Sequence, residues 1–254
     1  PVSANDLSMT AVKDTLASIP GEHNYIYVRT PLGEDEEKNY DEITFYDGLG
    51  RELDFAQSYG ADRAGAIMAH HHLIEYDSLG RKEKQWLSTN TSFSYMSPED
   101  LKGGVLWDYH DAGKRSYLQT NYESSPLNRI TEQYGVGDAW GDHPARMEYL
   151  TNIPADSLRC SFYFIDDNDS LIRRGDYRSG ELQVTKATDE DGKPTYTFVD
   201  KQGRTLLTRL GRGNQQADTY FVFDRFGRIR YVLPPMINDE ISAGNLDLYA
   251  YQYL

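Results

Sequence analysis

The chain is poor in cysteine. Cys160 is the only one in 254 residues, so no intrachain disulfide can form and the fold must rest on its own packing. Within Cys160-Ser161-Phe162-Tyr163-Phe164-Ile165 it reads as a small buried hydrophobe on a strand. Long hydrophobic runs are missing too: none approaches the ~18 residues of a membrane-spanning helix, and no signal peptide is present. Cations are in deficit. The 26 Lys and Arg face 40 Asp and Glu, a net charge of −14, which argues against nucleic acid and anionic membrane as partners because both recruit a cationic face. Only five Met stand against 20 Tyr and nine Phe, a balance that favours strands over a helical bundle. There is neither a Gly-x-Ser-x-Gly elbow nor a Gly-rich phosphate loop, and no cofactor is implied.

What is present is a repeat. Phe45-Tyr46-Asp47-Gly48-Leu49-Gly50-Arg51 reads as the end of one strand, a four-residue turn and the start of the next strand. The pattern returns at Tyr76-Asp77-Ser78-Leu79-Gly80-Arg81, Val199-Asp200-Lys201-Gln202-Gly203-Arg204 and Phe223-Asp224-Arg225-Phe226-Gly227-Arg228. A fifth copy, Tyr122-Glu123-Ser124-Ser125-Pro126-Leu127-Asn128-Arg129, is two residues longer and carries Asn128 where Gly stood. Asp at the first turn position accepts backbone N–H bonds from two residues on. Gly at the fourth supplies the positive φ that closes a type I turn with a G1 bulge, and Asn is the best substitute there. The aromatic before each Asp and the apolar Leu49, Leu79, Leu127 and Phe226 are expected to pack neighbouring hairpins together, and each Arg to pair with neighbouring acids.

These Tyr-Asp-x-x-Gly-Arg copies resemble the RHS/YD-repeat family of large secreted and surface-exposed bacterial proteins. The resemblance is closer still to the N-terminal domain that opens such proteins in Bacteroidota. The resemblance also rests on Asn24-Tyr25-Ile26-Tyr27-Val28-Arg29-Thr30-Pro31-Leu32, Asp189-Glu190-Asp191-Gly192, and the stretch from Asp218-Thr219-Tyr220 to Tyr231-Val232-Leu233-Pro234-Pro235, and covers residues 24–254. It implies an all-β, mainly antiparallel, curved meander of hairpins with one or two short helices, forming part of a β-shell. It implies a non-enzymatic structural module, secreted or at the cell surface. Its partners would be the rest of its own RHS chain and a C-terminal toxin or effector that the shell encloses or presents. The repeat-turn residues Asp47, Gly50, Arg51, Asp77, Gly80, Arg81, Asn128, Arg129, Asp200, Gly203, Arg204, Asp224, Gly227 and Arg228 are then structural. The self-cleaving aspartyl region known in some RHS shells has no counterpart here.

Along the chain, residues 1–20 read as a leader or short helix, 21–140 as a first repeat region and 141–254 as a second, continuous with it. Gly33–Asn39 is an acidic loop, Gly60–Ala69 a Gly- and Ala-rich loop, and Ser97-Pro98-Glu99-Asp100-Leu101 one helical turn capped by Ser. Residues 105–135 return to strands, 135–144 form an irregular connection, and the pattern from Met147 onward is β throughout. The chain opens at Pro1 without an initiator Met, and Leu248–Leu254 reads as a strand leading into another turn, so a fragment of a longer protein is expected.

Four groupings raise the question of chemistry. His70-His71-His72 places His70 and His72 on one strand face, within reach of Glu75 or Asp77 for Zn²⁺ or Ni²⁺, but no second ligand pair lies at suitable spacing. Asp166-Asp167-Asn168-Asp169-Ser170 is oxygen-rich yet lacks the EF-hand order, so it reads as a polar hairpin turn, and no metal is assigned. Trp86, Trp107 and Trp140 are candidate platforms for stacking a glycan, which makes a carbohydrate- or cell-surface-binding module the alternative reading. A glycoside hydrolase built on two acidic residues is a second alternative, although no pair stands out.

Overall fold

The computed structural model describes residues 12–13, 16–17, 19–31, 39–61, 66–211, 216–237 and 241–253. Its internal contacts divide the chain into two units, residues 1–142 and 143–254, each organised around antiparallel strands.

Unit 1 contains β1 (Asn24–Pro31), β2 (Asn39–Tyr46), β3 (Glu52–Ala61), β4 (Ile67–Tyr76), β5 (Lys82–Trp86), β6 (Thr89–Ser92), β7 (Tyr117–Tyr122) and β8 (Ile130–Tyr134). They are hydrogen-bonded in the order β1-β2-β3-β4-β5-β7-β8, with β6 paired to the first half of β4. Alternation along β2 and β4 turns Ile43, Phe45, Ile67 and Ala69 inward, where they meet Val12, Ile19, Ala56 and Phe93. Each fully buried Ile or Phe of this set contributes about 1.5–3 kcal/mol of transfer free energy. Of the leader, Val12, Lys13, Leu16 and Ala17 are helical and Val12 is fully buried; the remaining helix expectation lies outside the described residues, as does most of the acidic loop.

Two segments depart from expectation. Gly60, Ala61 and Ile67–Ala69 belong to paired strands, with Gly60 opposite Met68 across a bulge. Ile67 and Ala69 are buried in the core, and residues 62–65 lie outside the description. The single turn expected after Ser97 is α1 (Pro98–Asp108), eleven residues long, so residues 105–108 are helical rather than strand. Ser97 Oγ accepts the Asp100 N–H at 3.1 Å, Pro98 opens the helix, and Leu101 and Val105, one turn apart, are both buried. Gly104 belongs inside this helix despite its poor propensity: a Cβ there would lie 2.6 Å from Thr89 Oγ1.

Unit 2 contains β9 (Ala145–Thr151), β10 (Ser161–Ile165), β11 (Leu171–Asp176), β12 (Gln183–Thr188), β13 (Pro194–Val199), β14 (Thr205–Leu210), β15 (Ala217–Phe223), β16 (Ile229–Leu233), α2 (Ala243–Tyr249) and β17 (Tyr251–Gln252). The main sheet runs β9-β12-β13-β14-β15-β16-β17, and β10-β11 forms a separate ribbon. The core is built from Cys160, Tyr163, Val184, Tyr196, Phe198, Leu207, Tyr220, Val222 and Leu233. The carboxyl-terminal stretch is not one strand. Ser242 caps α2 through the Asn245 N–H at 3.2 Å, and only Tyr251 and Gln252 then pair with β16.

The fold is therefore all-β and mainly antiparallel, a curved meander of hairpins with two short α-helices. It is not closed: among the described residues β1 pairs only with β2, and β17 only with β16. No helix among those residues is long and apolar enough to cross a membrane.

Candidate functional site

The repeated turns share one hydrogen-bond scheme. In the first, Gly50 N–H donates to the Asp47 carbonyl at 3.0 Å and Asp47 N–H to the Arg51 carbonyl at 2.9 Å. Gly50 takes φ 75°, and the strand register shifts by one residue beside it. Asp47 Oδ1 accepts the Leu49 and Arg51 N–H groups at 2.9 Å each, while Oδ2 takes Arg51 Nε at 2.7 Å. The Asp thus closes the turn with one oxygen and holds the Arg with the other. The same contacts recur around Asp77, Asp200 and Asp224. Burial pushes these four carboxyls up, but the backbone and guanidinium hydrogen bonds outweigh it and hold them below the usual range.

The altered copy divides the two jobs. Glu123 grips Arg129 in a bidentate pair at 2.8 and 2.7 Å, while Ser125 Oγ accepts the Leu127 N–H at 3.2 Å. Asn128 occupies the left-handed region at φ 55°. The Arg129 guanidinium, with Ser125, lowers the Glu123 carboxyl to about 2.

Each Arg pairs with the acid of its own turn rather than with acids of neighbouring hairpins, and three of them also reach the next hairpin. Arg51 lies 4.4 Å over the Tyr76 ring, Arg81 4.6 Å over Tyr122, and Arg204 5.1 Å over Phe223. In each case the ring is the aromatic residue that immediately precedes the acid of the following copy. Tyr76 hydroxyl donates back to the Glu52 carbonyl at 2.6 Å and Tyr122 hydroxyl to the Lys82 carbonyl at 3.0 Å, both one residue past an Arg. Arg81 Nη1 adds a bond to the Glu123 carbonyl at 2.9 Å. In unit 1 the turns after β2, β4 and β7 stand at the same end of the sheet, two strands or about 10 Å apart.

The apolar turn residues do not pack hairpins together. Leu49, Leu79, Leu127 and Phe226 are 79%, 65%, 68% and 69% exposed, because they project from the turn tips away from the sheet. The packing expected of them is done by the Arg–aromatic joints. Sequence reading also underestimated how often the scheme recurs. Asp166 Oδ1 accepts the Asn168 and Ser170 N–H groups, and Asp189 Oδ1 those of Asp191 and Lys193. Both have the same Asp geometry but Ser or Lys in place of Arg, and Asp169 takes φ 63° where Gly stood.

The remaining candidates fall on separate elements. On β4, His71 is buried with Nδ1 2.6 Å from Asp54 Oδ2 and Nε2 2.9 Å from the Ser92 carbonyl, whereas His70 stacks on Tyr59 at 4.4 Å. Among the described residues no group of three or more His, Cys, Asp and Glu is gathered as a metal site. Trp86, on β5, donates to Glu75 at 2.8 Å beneath Lys102; Trp107 projects from α1; Trp140 ends a short 3₁₀ turn. Cys160 is buried.

Two buried polar clusters have no signal in the repeat. Asp41, fully buried, accepts Tyr27 hydroxyl at 2.6 Å and Arg29 at 2.7 and 2.9 Å; burial and then Asp41 raise the Tyr27 phenol to about 12. Arg209, 2% exposed, grips Asp218 with Nε and Nη2 and caps the Ser157 and Arg159 carbonyls at 2.9 and 2.8 Å.

An open antiparallel meander whose hairpins are joined by turn arginines is the class of protein these features define. Residues 24–151 match the family described as a domain of unknown function, DUF6443, and the chain belongs to that family. The fold is similar to that in the crystal structure of TcdB2-TccC3, at 13% identity and TM-score 0.50, covering 85% of this chain and 10% of that one. It is likewise similar to that in the crystal structure of TcdB2-TccC3-TEV, at 12% identity and TM-score 0.50, covering 92% and 11%. At such identities the likeness is one of fold. The chain spans about a tenth of the length of these chains. No curated protein matches it in sequence.

Proposed function

We propose that this chain is a non-enzymatic wall segment of an RHS-type β-shell, in a secreted or cell-surface protein of the Bacteroidota kind. Its partners are the remainder of its own repeat chain and the carboxyl-terminal effector that the shell encloses or presents. The observation that carries the reading is the joint between copies, in which Arg51, Arg81 and Arg204 each bind their own turn and cover the aromatic ring of the next. Such a joint lets a sheet widen by repetition, and open edges leave it able to continue. The likeness to a tenth of the TcdB2-TccC3 chain supports a part rather than a whole. A non-enzymatic role agrees with the carboxyl groups that shift: Asp47, Glu75, Asp77, Glu123, Asp200 and Asp224 all move down, held ionised, whereas a general acid needs one moved up.

The test is cryo-electron microscopy of the full-length parent protein. The expected result is strands of this segment hydrogen-bonded at their open edges into a continuous wall around a cavity. A segment tethered outside any shell, with its edges unpaired, would overturn the proposal.

A further inference from the structure

Unit 2 carries a concentration of unpaired positive charge that the shell reading does not use. A cleft of about 600 Å³ opens beside the β10-β11 ribbon, walled by Phe162 and Tyr177, which meet edge to face at 4.8 Å. Three exposed cations ring it from three elements: Arg174 on β11, Arg178 in the loop that follows, and Lys201 at the tip of the β13–β14 turn. None of the three side chains forms an ion pair among the described residues. In a chain of net charge −14 with most of its arginines in such pairs, three free cations around one hollow are exceptional.

The two acids of the cleft are already engaged. Asp176 lies 3.4 Å from Arg173 and 3.9 Å from Arg159, and Glu181 accepts the Arg178 backbone N–H at 2.9 Å. The position of Arg174 follows from the backbone. Between Ser161 and Tyr163 the β10–β11 register shifts, β11 holds an extra residue, and Gly175 takes φ 72°. A bulge of this kind turns a side chain out of strict alternation.

We propose that this cleft binds an extended acidic peptide. A hollow of this size takes several residues of chain or a small molecule, far more than one carboxylate or phosphate. Its cations are spread over separate elements, which suits successive carboxylates along a chain. The aromatic wall takes the intervening apolar side chains, while the carboxylates of Asp176 and Glu181 in the lining disfavour a compact anion. This inference does not depend on the shell proposal.

The test is fluorescence anisotropy on the 254-residue chain. The probe is a fluorescein-labelled decapeptide of alternating Glu and Val, and the comparison peptide alternates Lys and Val. The expected result is saturable binding of the Glu peptide alone, weakened by added salt. The combined R174E, R178E and K201E variant should lose at least about tenfold in affinity. K193E, at a turn where Lys193 is paired with Asp191, should leave affinity unchanged. If the triple variant fails to fold, R174Q with K201Q should still weaken binding several-fold. Absence of saturable binding, an equal loss in K193E, or capture of hyaluronan oligosaccharides in preference to the Glu peptide would each overturn the proposal.

Discussion

The same motif occurs in two environments, and this permits a sharp test of the joint. Arg81 is 14% exposed and touches three things: Asp77 at 2.7 Å, the Glu123 carbonyl at 2.9 Å, and the Tyr122 ring at 4.6 Å. Arg228 is 69% exposed, pairs with Asp224 and lies 5.3 Å over Phe226 of its own turn. Arg81→Ala forfeits a cation–π contact of about 0.5–1 kcal/mol and charge-assisted hydrogen bonds worth about 1.5–3 kcal/mol. A total near 3 kcal/mol corresponds to a fall in melting temperature of about 10 °C for a chain of this length. Arg228→Ala removes a solvent-screened pair and is expected to shift the midpoint by less than about a third as much. The assay is urea unfolding followed by circular dichroism, with Tyr122→Leu completing a double-mutant cycle whose coupling should be about 0.5–1 kcal/mol. Equal losses at Arg81 and Arg228 would refute the joint, because the arginine would then serve only its own turn.

Three further outcomes follow from the same geometry. Gly80→Ala and Gly203→Ala both place a side chain at φ 80°, but only at Gly80 would the new Cβ meet a neighbour, Arg51 Nη1 at 3.0 Å; both should cost about 1 kcal/mol of backbone strain, and Gly80→Ala measurably more, in urea midpoints. Arg209→Ala strands two carbonyls and the Asp218 carboxylate, so unit 2 should lose about 3–5 kcal/mol, with faster hydrogen exchange at residues 157–161 as the local readout. Asp47, Asp77, Asp200, Asp224 and Glu123 all titrate below their unfolded values. Their stabilisation is therefore fully present above about pH 4.5 and is lost as pH falls toward about 2, and a urea midpoint that stays flat over that window would contradict the turn scheme.

The hairpins were legible because their chemistry is local: an Asp oxygen, a residue able to take positive φ, and strand-formers on either side suffice to close the turn. The joints were legible only on one side: the aromatic before each acid is expected to pack hairpins, but nothing in Asp-x-x-Gly-Arg states that Arg51 will lie against a ring 25 positions later. Leu49 and Leu79 misled for a related reason. An apolar residue reads as buried, yet a turn tip points away from the sheet whatever it carries. Gly60–Ala69 misled in the opposite sense. Its small residues read as loop, but Ile67 and Ala69 lie on a paired strand and are buried in the same cluster as Phe93. The buried pairs Arg209–Asp218 and His71–Asp54 join different strands, and their partners become visible only once the register is known.

Because one oxygen of the Asp makes the turn and the other holds the Arg, the two functions can be separated, and the chain separates them. At Asp166 the turn is made, but Ser170 stands where Arg would be. The hairpin so closed, β10-β11, is the one that leaves the main sheet and stands as a two-stranded ribbon. At Asp189 the Arg is again missing, with Lys193 in its place, yet β12 and β13 remain in the sheet because β9 and β14 flank them on either side. Turn chemistry therefore decides where the chain reverses. Whether the resulting hairpin extends the wall depends on a second bond, supplied by an arginine that has an aromatic ring to cover or by strands already waiting at both edges. A turn with neither is released from the sheet, and in this protein the released ribbon is also the one that borders the cationic cleft.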